Sequence, residues 1–167
     1  MALTEPDLIF KARALAQAHP LTAVAKGWID TAVDEQRDAQ PMPDVGVWVN
    51  TALVAGYCVR RVEEDEAGLD PSPSEDAAAP ADLGRVVEGV VADLRGERAG
   101  SPPLVGDLDR TVAVLDRIIA TEVSKRTENV GDRLDYDARA ELEEYITYWV
   151  VRGYALRVAE LTTGALA

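Results

Sequence analysis

Scarce residues exclude several kinds of site before any motif is considered. The 167-residue chain contains one cysteine, Cys58, and one histidine, His19. A single cysteine excludes an internal disulfide and a cysteine-based zinc site. A single histidine excludes the usual two-histidine metal sites. The sequence also lacks a glycine-rich phosphate loop and a G-x-S-x-G motif. We therefore predict no cofactor and favour a protein that is not an enzyme.

Basic residues and long apolar runs are scarce as well. The chain has 17 lysine and arginine residues against 30 acidic ones, a net charge of −13. Phosphate binding requires basic patches, so direct binding to nucleic acid or to anionic membranes is not expected. No run reaches the roughly 18 apolar residues of a transmembrane helix. The N-terminus does not resemble a signal peptide. We expect a cytoplasmic protein with a protein partner, for which a basic surface is the natural complement, and we leave homo-oligomerisation open.

The acidic residues are concentrated in one segment. Residues 63–82 contain eight acids and no base, and the rest of the chain has 17 basic and 22 acidic residues, a net charge of −5. Residues 65–80 are also rich in proline, serine and alanine, a composition typical of linkers. The sequence therefore predicts an acidic linker over 65–80. It also predicts that most of the net charge lies outside the folded surface.

Helical periodicity dominates the remaining sequence, and no long stretch alternates as an amphipathic strand does. The pattern predicts six helices, near residues 5–18, 21–39, 44–64, 81–98, 107–128 and 135–161. Thr4 and Asp44 are suitable N-caps for the first and third helices. We predict an all-α fold, a compact bundle of about six helices that forms a single domain over 1–167.

The third and sixth predicted helices contain similar segments 97 residues apart. Residues 51–60 are TALVAGYCVR and residues 148–157 are YWVVRGYALR, each with Gly-Tyr in an apolar run that ends in arginine. Helices that are apolar nearly all round are typical of the centre of a bundle. We predict that these two helices are the most buried and pack together. We also predict two repeated three-helix units, 4–64 and 80–161, with chance similarity among helices rich in alanine and valine as the alternative.

Arg152 interrupts the apolar run of the sixth helix. A buried guanidinium must be paired and hydrogen-bonded. One interpretation is an ion pair with an interior or rim carboxylate. The other is an anion contact in a ligand pocket lined by Trp149, Tyr148 and Tyr154.

Two carboxylate pairs form a second candidate site. Glu35 and Asp38 have E-x-x-D spacing, and Glu141 and Glu144 have E-x-x-E spacing. Residues three apart share a helix face, so two such faces could hold Mg²⁺ through carboxylate oxygens. These motifs resemble those of all-α nucleotide pyrophosphohydrolases of the MazG kind, although in the reverse chain order. The resemblance implies a magnesium-dependent hydrolase, whereas the alternative is ordinary helix chemistry.

A third pair is not assigned a catalytic role. Arg13 and His19 match the loose Arg-x₄₋₆-His spacing of HEPN-type ribonucleases, but they fall on different helix faces and Pro20 ends the helix. With no catalytic constellation left, the sequence favours a non-enzymatic interaction or adaptor protein that acts through helical faces or the acidic linker. The alternatives are the magnesium-dependent hydrolase and a helical bundle that binds a small ligand.

Overall fold

The computed structural model describes residues 2–40, 44–69, 71, 79–94, 107–128 and 136–164. Within these ranges the chain forms six helices and no strand, so the all-α bundle predicted from the sequence is confirmed. The helices are α1 (Glu5–Ala16), α2 (Ala23–Ala39), α3 (Val45–Glu66), α4 (Leu83–Leu94), α5 (Leu108–Thr127) and α6 (Tyr136–Thr162).

Short polar side chains begin several of these helices. The hydroxyl of Thr4 accepts a hydrogen bond from the backbone N–H of Asp7, and that of Thr22 accepts one from Ala25 at 3.0 Å. Such caps satisfy backbone donors that have no partner within the helix. Asp44 occupies the N-cap position of α3, but its side chain makes no capping hydrogen bond. Residue type thus places Asp44 correctly at the N-cap position, but the capping hydrogen bond that it predicts is not formed.

Helices α3 and α6 form the centre of the bundle and make the most extensive contact in the fold. Helices α1 and α2 pack on α3, while α4 and α5 pack on α6. The largest fully buried side chains of the described residues include Tyr57 and Leu53 on α3 and Tyr154 and Leu156 on α6. The predicted central pair of helices is therefore observed, and its neighbours surround it on both sides.

Two glycines allow α3 and α6 to cross at very short range. A Cβ atom added to Gly56 would lie 2.0 Å from the carbonyl oxygen of Val150. A Cβ atom added to Gly153 would lie 2.0 Å from the carbonyl oxygen of Leu53. The two contacts are reciprocal, because Gly56 and Gly153, like Leu53 and Val150, are 97 residues apart. The crossing thus has an approximate two-fold relation, while the division of the chain into two repeated units stays a prediction.

The prediction that the acidic segment lies outside the folded surface is wrong at its N-terminal end. Helix α3 continues to Glu66, so four of the eight acids belong to a helix. Glu63 and Glu64 are only 1% and 2% exposed. Glu66 accepts two hydrogen bonds from the guanidinium of Arg110, at 2.9 and 2.8 Å. These acids fold inward because basic and hydroxyl groups of other helices meet them. Residues 70 and 72–78 of the predicted linker lie outside the described residues.

Candidate functional site

Arg152 has a carboxylate partner. Its Nε and Nη2 donate to the two carboxylate oxygens of Glu88 on α4, each at 2.8 Å, and its Nη1 donates to the carbonyl of Tyr148. Its guanidinium carbon lies 3.3 Å from the centre of the Tyr148 ring. The arginine is buried, whereas the Glu88 side chain is 54% exposed. This geometry agrees with the first interpretation of Arg152, an ion pair with a carboxylate at the rim of the fold.

Most of the predicted site residues line one surface depression, which we call the acidic groove. It consists of two adjoining pockets of about 600 Å³ and 360 Å³ that share Tyr148 and Trp149 as a wall. The first pocket lies between α2, α4 and α6, and the second between α2 and α6. The charged and aromatic residues of the groove are Trp28, Glu35, Glu88, Glu141, Glu144, Tyr145, Tyr148, Trp149 and Arg152. The structure therefore brings together residues that the sequence assigned to two different sites.

Two predicted site residues do not line the acidic groove. Tyr154 is completely buried, and its hydroxyl contacts Glu63 of α3. Asp38 is exposed near the end of α2 and lines neither pocket. In the part of the chain that the structure describes, no three histidine, cysteine, aspartate or glutamate side chains come together in a group that could hold a metal ion. The magnesium interpretation gains no support from this geometry.

A second set of polar residues, which the sequence analysis missed, lies at the buried end of the α3–α6 contact. The hydroxyl of Tyr57 donates to Glu160 at 2.6 Å, and the hydroxyl of Tyr154 donates to Glu63 at 2.5 Å. Two threonines each donate a second hydrogen bond to one of these carboxylates. Thr22 donates to Glu160 at 2.6 Å, and Thr111 donates to Glu63 at 2.5 Å. Each carboxylate thus receives one tyrosine and one threonine hydroxyl from outside its own helix.

Two arginines belong to the same network. Arg157 donates to Glu64 at 2.9 Å and to the hydroxyl of Tyr57 at 3.0 Å. Arg60 donates to the hydroxyl of Tyr154 at 3.3 Å, and its Nε lies 3.5 Å from Glu64. Glu64 therefore lies between both guanidinium groups. We call these residues the buried ionic network: Tyr57, Arg60, Glu63, Glu64, Tyr154, Arg157 and Glu160.

The buried ionic network is a structural element because all of its residues are between 0% and 3% exposed. A substrate has no access to it. A recognisable signal was present in the sequence: G-Y-x-x-R-x-x-E occurs at 56–63 and again at 153–160. The similar segments described above, 51–60 and 148–157, end at the arginine and so do not include the glutamate. The acids at 63 and 160 are one helical turn beyond the arginines and face the partner helix.

The network makes stability sensitive to alkaline pH. Burial and the nearby Glu160 carboxylate raise the pKa of Tyr57 to about 12. Burial and Glu63 raise the pKa of Tyr154, and burial raises the pKa of the Cys58 thiol to about 12. In the unfolded chain these groups lose their protons at lower pH, near pH 10 for tyrosine and near pH 8.5 for cysteine. Their contribution to stability is complete below those values and is lost as the pH rises toward about 12.

We therefore expect the free energy of unfolding to fall steeply above about pH 10. Urea denaturation at a series of pH values measures this loss. Tyr57→Phe should be less stable than the wild type at pH 8, because Glu160 loses a hydrogen bond, but should show a smaller further loss in alkali. An identical alkaline slope for Tyr57→Phe and the wild type would show that Tyr57 does not contribute.

Comparisons with known proteins give no relative: no family model, curated protein or solved structure matches this chain. No helix within the described ranges is long and apolar enough to cross a membrane.

Proposed function

We propose that this protein is a non-enzymatic interaction protein that binds a basic segment of a partner protein in the acidic groove. One observation carries the proposal: two adjoining pockets share an aromatic wall and are bordered by carboxylates. The groove contains four glutamates and one arginine, and that arginine is already paired with Glu88. Among the residues that the structure describes, nothing basic pairs with the other three glutamates, which leaves them available to a partner.

The charge of the groove favours a cationic occupant. Glu35, Glu141 and Glu144 are exposed, and none of them forms an ion pair with a basic side chain of the described residues. A lysine or arginine side chain of a partner would supply the missing counter-charge. A second copy of this chain is a poor occupant by comparison, because each copy has a net charge of −13.

The aromatic wall is the second feature of the acidic groove that favours a basic peptide as its occupant. Tyr148 and Trp149 contact each other edge to face, with ring centroids 4.8 Å apart, and Tyr148 is 41% exposed. Tyr145 lies 6.4 Å from Trp149 and extends this cluster. Arg152 already covers one face of the Tyr148 ring. An aromatic face that stays open attracts a lysine or arginine side chain of a partner by cation–π interaction, with about 0.5–1 kcal/mol at an exposed site. Carboxylates beside aromatic rings therefore fit a peptide that carries basic and apolar side chains.

A displayed library of random peptides provides the test. We expect selection on the wild-type protein to enrich peptides that contain lysine or arginine beside apolar residues. Substituting Glu141→Gln with Glu144→Gln should weaken the selected peptides by about threefold to tenfold, because exposed ion pairs contribute about 0.2–1 kcal/mol each. Fluorescence anisotropy with labelled peptides measures the affinity at low and high salt, and attraction by charge must weaken as salt is added.

The matched control combines Glu143→Gln with Asp116→Asn, which removes the same charge from exposed positions outside the groove. This control should bind the peptides as the wild type does. Equal weakening by both double variants would show attraction to the overall charge of the protein and not to the groove. Selection that enriches no basic residues would contradict the proposal directly.

A further inference from the structure

A second cleft, separate from the acidic groove, lies between α1, α3 and α5 beside the first turns of α2. It has a volume of about 560 Å³ and shares no residue with the acidic groove. We call it the basic cleft because its lining includes Arg13, Lys26, Lys125 and His19 against two acids, Asp30 and Glu122. The chain has three lysines and one histidine, and two of those lysines and the histidine line this cleft. The local charge is thus opposite to that of the whole protein.

The two acids of the basic cleft do not cancel its positive charge. Asp30 pairs with Lys26 at 2.7 Å, and Glu122 lies 3.4 Å from Lys125. Glu122 is also held by Arg126 at 3.1 Å, so Lys125 can turn to a ligand without leaving this buried carboxylate unpaired. The guanidinium of Arg13 donates to the hydroxyl of Thr121, a neutral group, at 3.4 Å. Lys125 and Arg13 therefore retain charge for an anion.

The polar and apolar walls of the cleft also suit a ligand. Asn50 and Thr51 are the polar residues that interrupt the apolar run of α3, and both line this cleft. Together with Gln17 they offer neutral hydrogen-bonding groups. Small apolar side chains form the rest of the wall: Ala12, Ala16, Leu21, Val54, Ala55 and Ile118. Such a surface accommodates a ring or a short hydrocarbon body.

The turn that presents His19 is held in an unusual conformation. His19 has a φ of 53°, the one positive value among the non-glycine residues that the structure describes. This region costs on the order of 1–3 kcal/mol and persists where the surroundings impose it. Arg61 contributes to this restraint, since its guanidinium donates to the carbonyl of Pro20 at 2.6 Å.

We propose that the basic cleft binds a small organic anion, in which a phosphate or carboxylate group is joined to an apolar or aromatic body. The anion lies against Lys125 and Arg13, and the body lies against the small apolar side chains of α1 and α3. Charge-assisted hydrogen bonds from lysine and arginine are the strong contacts for such groups. This site is independent of the peptide-binding role proposed above.

An NMR titration with four probes tests the proposal. Phenyl phosphate and benzoate carry both features, inorganic phosphate lacks the body, and benzyl alcohol lacks the charge. We expect the chemical shifts of the Asn50 and Thr51 amides to change saturably with phenyl phosphate or benzoate. The probe that binds with the higher affinity identifies the preferred anion. Inorganic phosphate and benzyl alcohol should bind more weakly than the preferred probe, which carries both the anion and the aromatic body.

Arg13→Gln combined with Lys125→Gln should weaken binding of the preferred probe by about tenfold, because two charge-assisted contacts are lost. The matched control, Lys11→Gln with Arg139→Gln, removes the same charge from exposed positions outside the cleft and should leave the affinity unchanged. Thermal unfolding checks that both variants fold. The proposal is overturned if neither complete probe saturates, if benzyl alcohol binds as well as both, or if the two double variants bind alike.

Discussion

Replacing Gly56 by alanine is expected to lower the free energy of unfolding by about 2–4 kcal/mol, although alanine favours helices. The added methyl group would lie 2.0 Å from the carbonyl oxygen of Val150 and 2.7 Å from the backbone nitrogen of Tyr154. Both atoms belong to the backbone of α6, so no side-chain rotation relieves the overlap. The two central helices must move apart, and their tightly packed contact is lost along its length.

Gly153→Ala should cause a loss of similar size, because the added methyl group would meet the backbone of Leu53 in the same way. Gly27→Ala is the matched control. Gly27 lies within α2, and a Cβ atom added there has nothing within 4 Å. This control should raise stability by about 0.5–1 kcal/mol through helix propensity alone. Urea denaturation measures all three variants.

The glycine prediction also tests the approximate two-fold relation of the crossing. If Gly56→Ala lowered stability and Gly153→Ala did not, the two contacts would not be equivalent. If both variants gained stability as Gly27→Ala does, α3 and α6 would not cross at this short range.

Glu64→Leu is expected to lower the free energy of unfolding by about 3–5 kcal/mol, because it removes one partner from a buried ion pair. Glu64 lies 2.9 Å from Arg157 and 3.5 Å from Arg60, and its side chain is 2% exposed. Without it, the Nε groups of both buried arginines lose the carboxylate that faces them. Leucine at this position copies the other half of the chain, where Leu161 lies 97 residues further on.

A double-mutant cycle with Arg157→Met separates pairing from packing. The double variant should lose less stability than the two single losses added together, with a coupling of about 1–3 kcal/mol. Asp30→Asn gives the surface reference, because the pair of Lys26 and Asp30 is exposed and should contribute under about 1 kcal/mol. Additive losses at Glu64 and Arg157 would show that the two side chains stabilise the fold separately.

These variants separate folding from binding. Gly56, Glu64 and Arg157 line neither the acidic groove nor the basic cleft. Changes in these residues should therefore alter stability, whereas Glu141→Gln with Glu144→Gln should alter peptide affinity at nearly constant stability. The protein thus has a buried ionic centre and two surface depressions of opposite charge.

The sequence by itself determined the helices and the position of the central pair. Thr4 marks the start of α1 because a short hydroxyl side chain satisfies nearby backbone donors, and this effect depends only on local residues. Helices α3 and α6 could be placed at the centre because a helix without a polar face must be covered on all sides. Arg152 could likewise be expected to have a partner, since a buried charge needs one.

Only the tertiary structure decided which acids are buried and which residues share a surface. Glu63 and Glu64 begin the acidic segment 63–82, whose charge was predicted to lie outside the folded surface, and their burial depends on groups far away in sequence such as Thr111 and Arg157. The acidic groove and the basic cleft likewise form between helices that are distant in sequence. Local periodicity shows which face of a helix is apolar, but a carboxylate's surroundings depend on the helix packed against it.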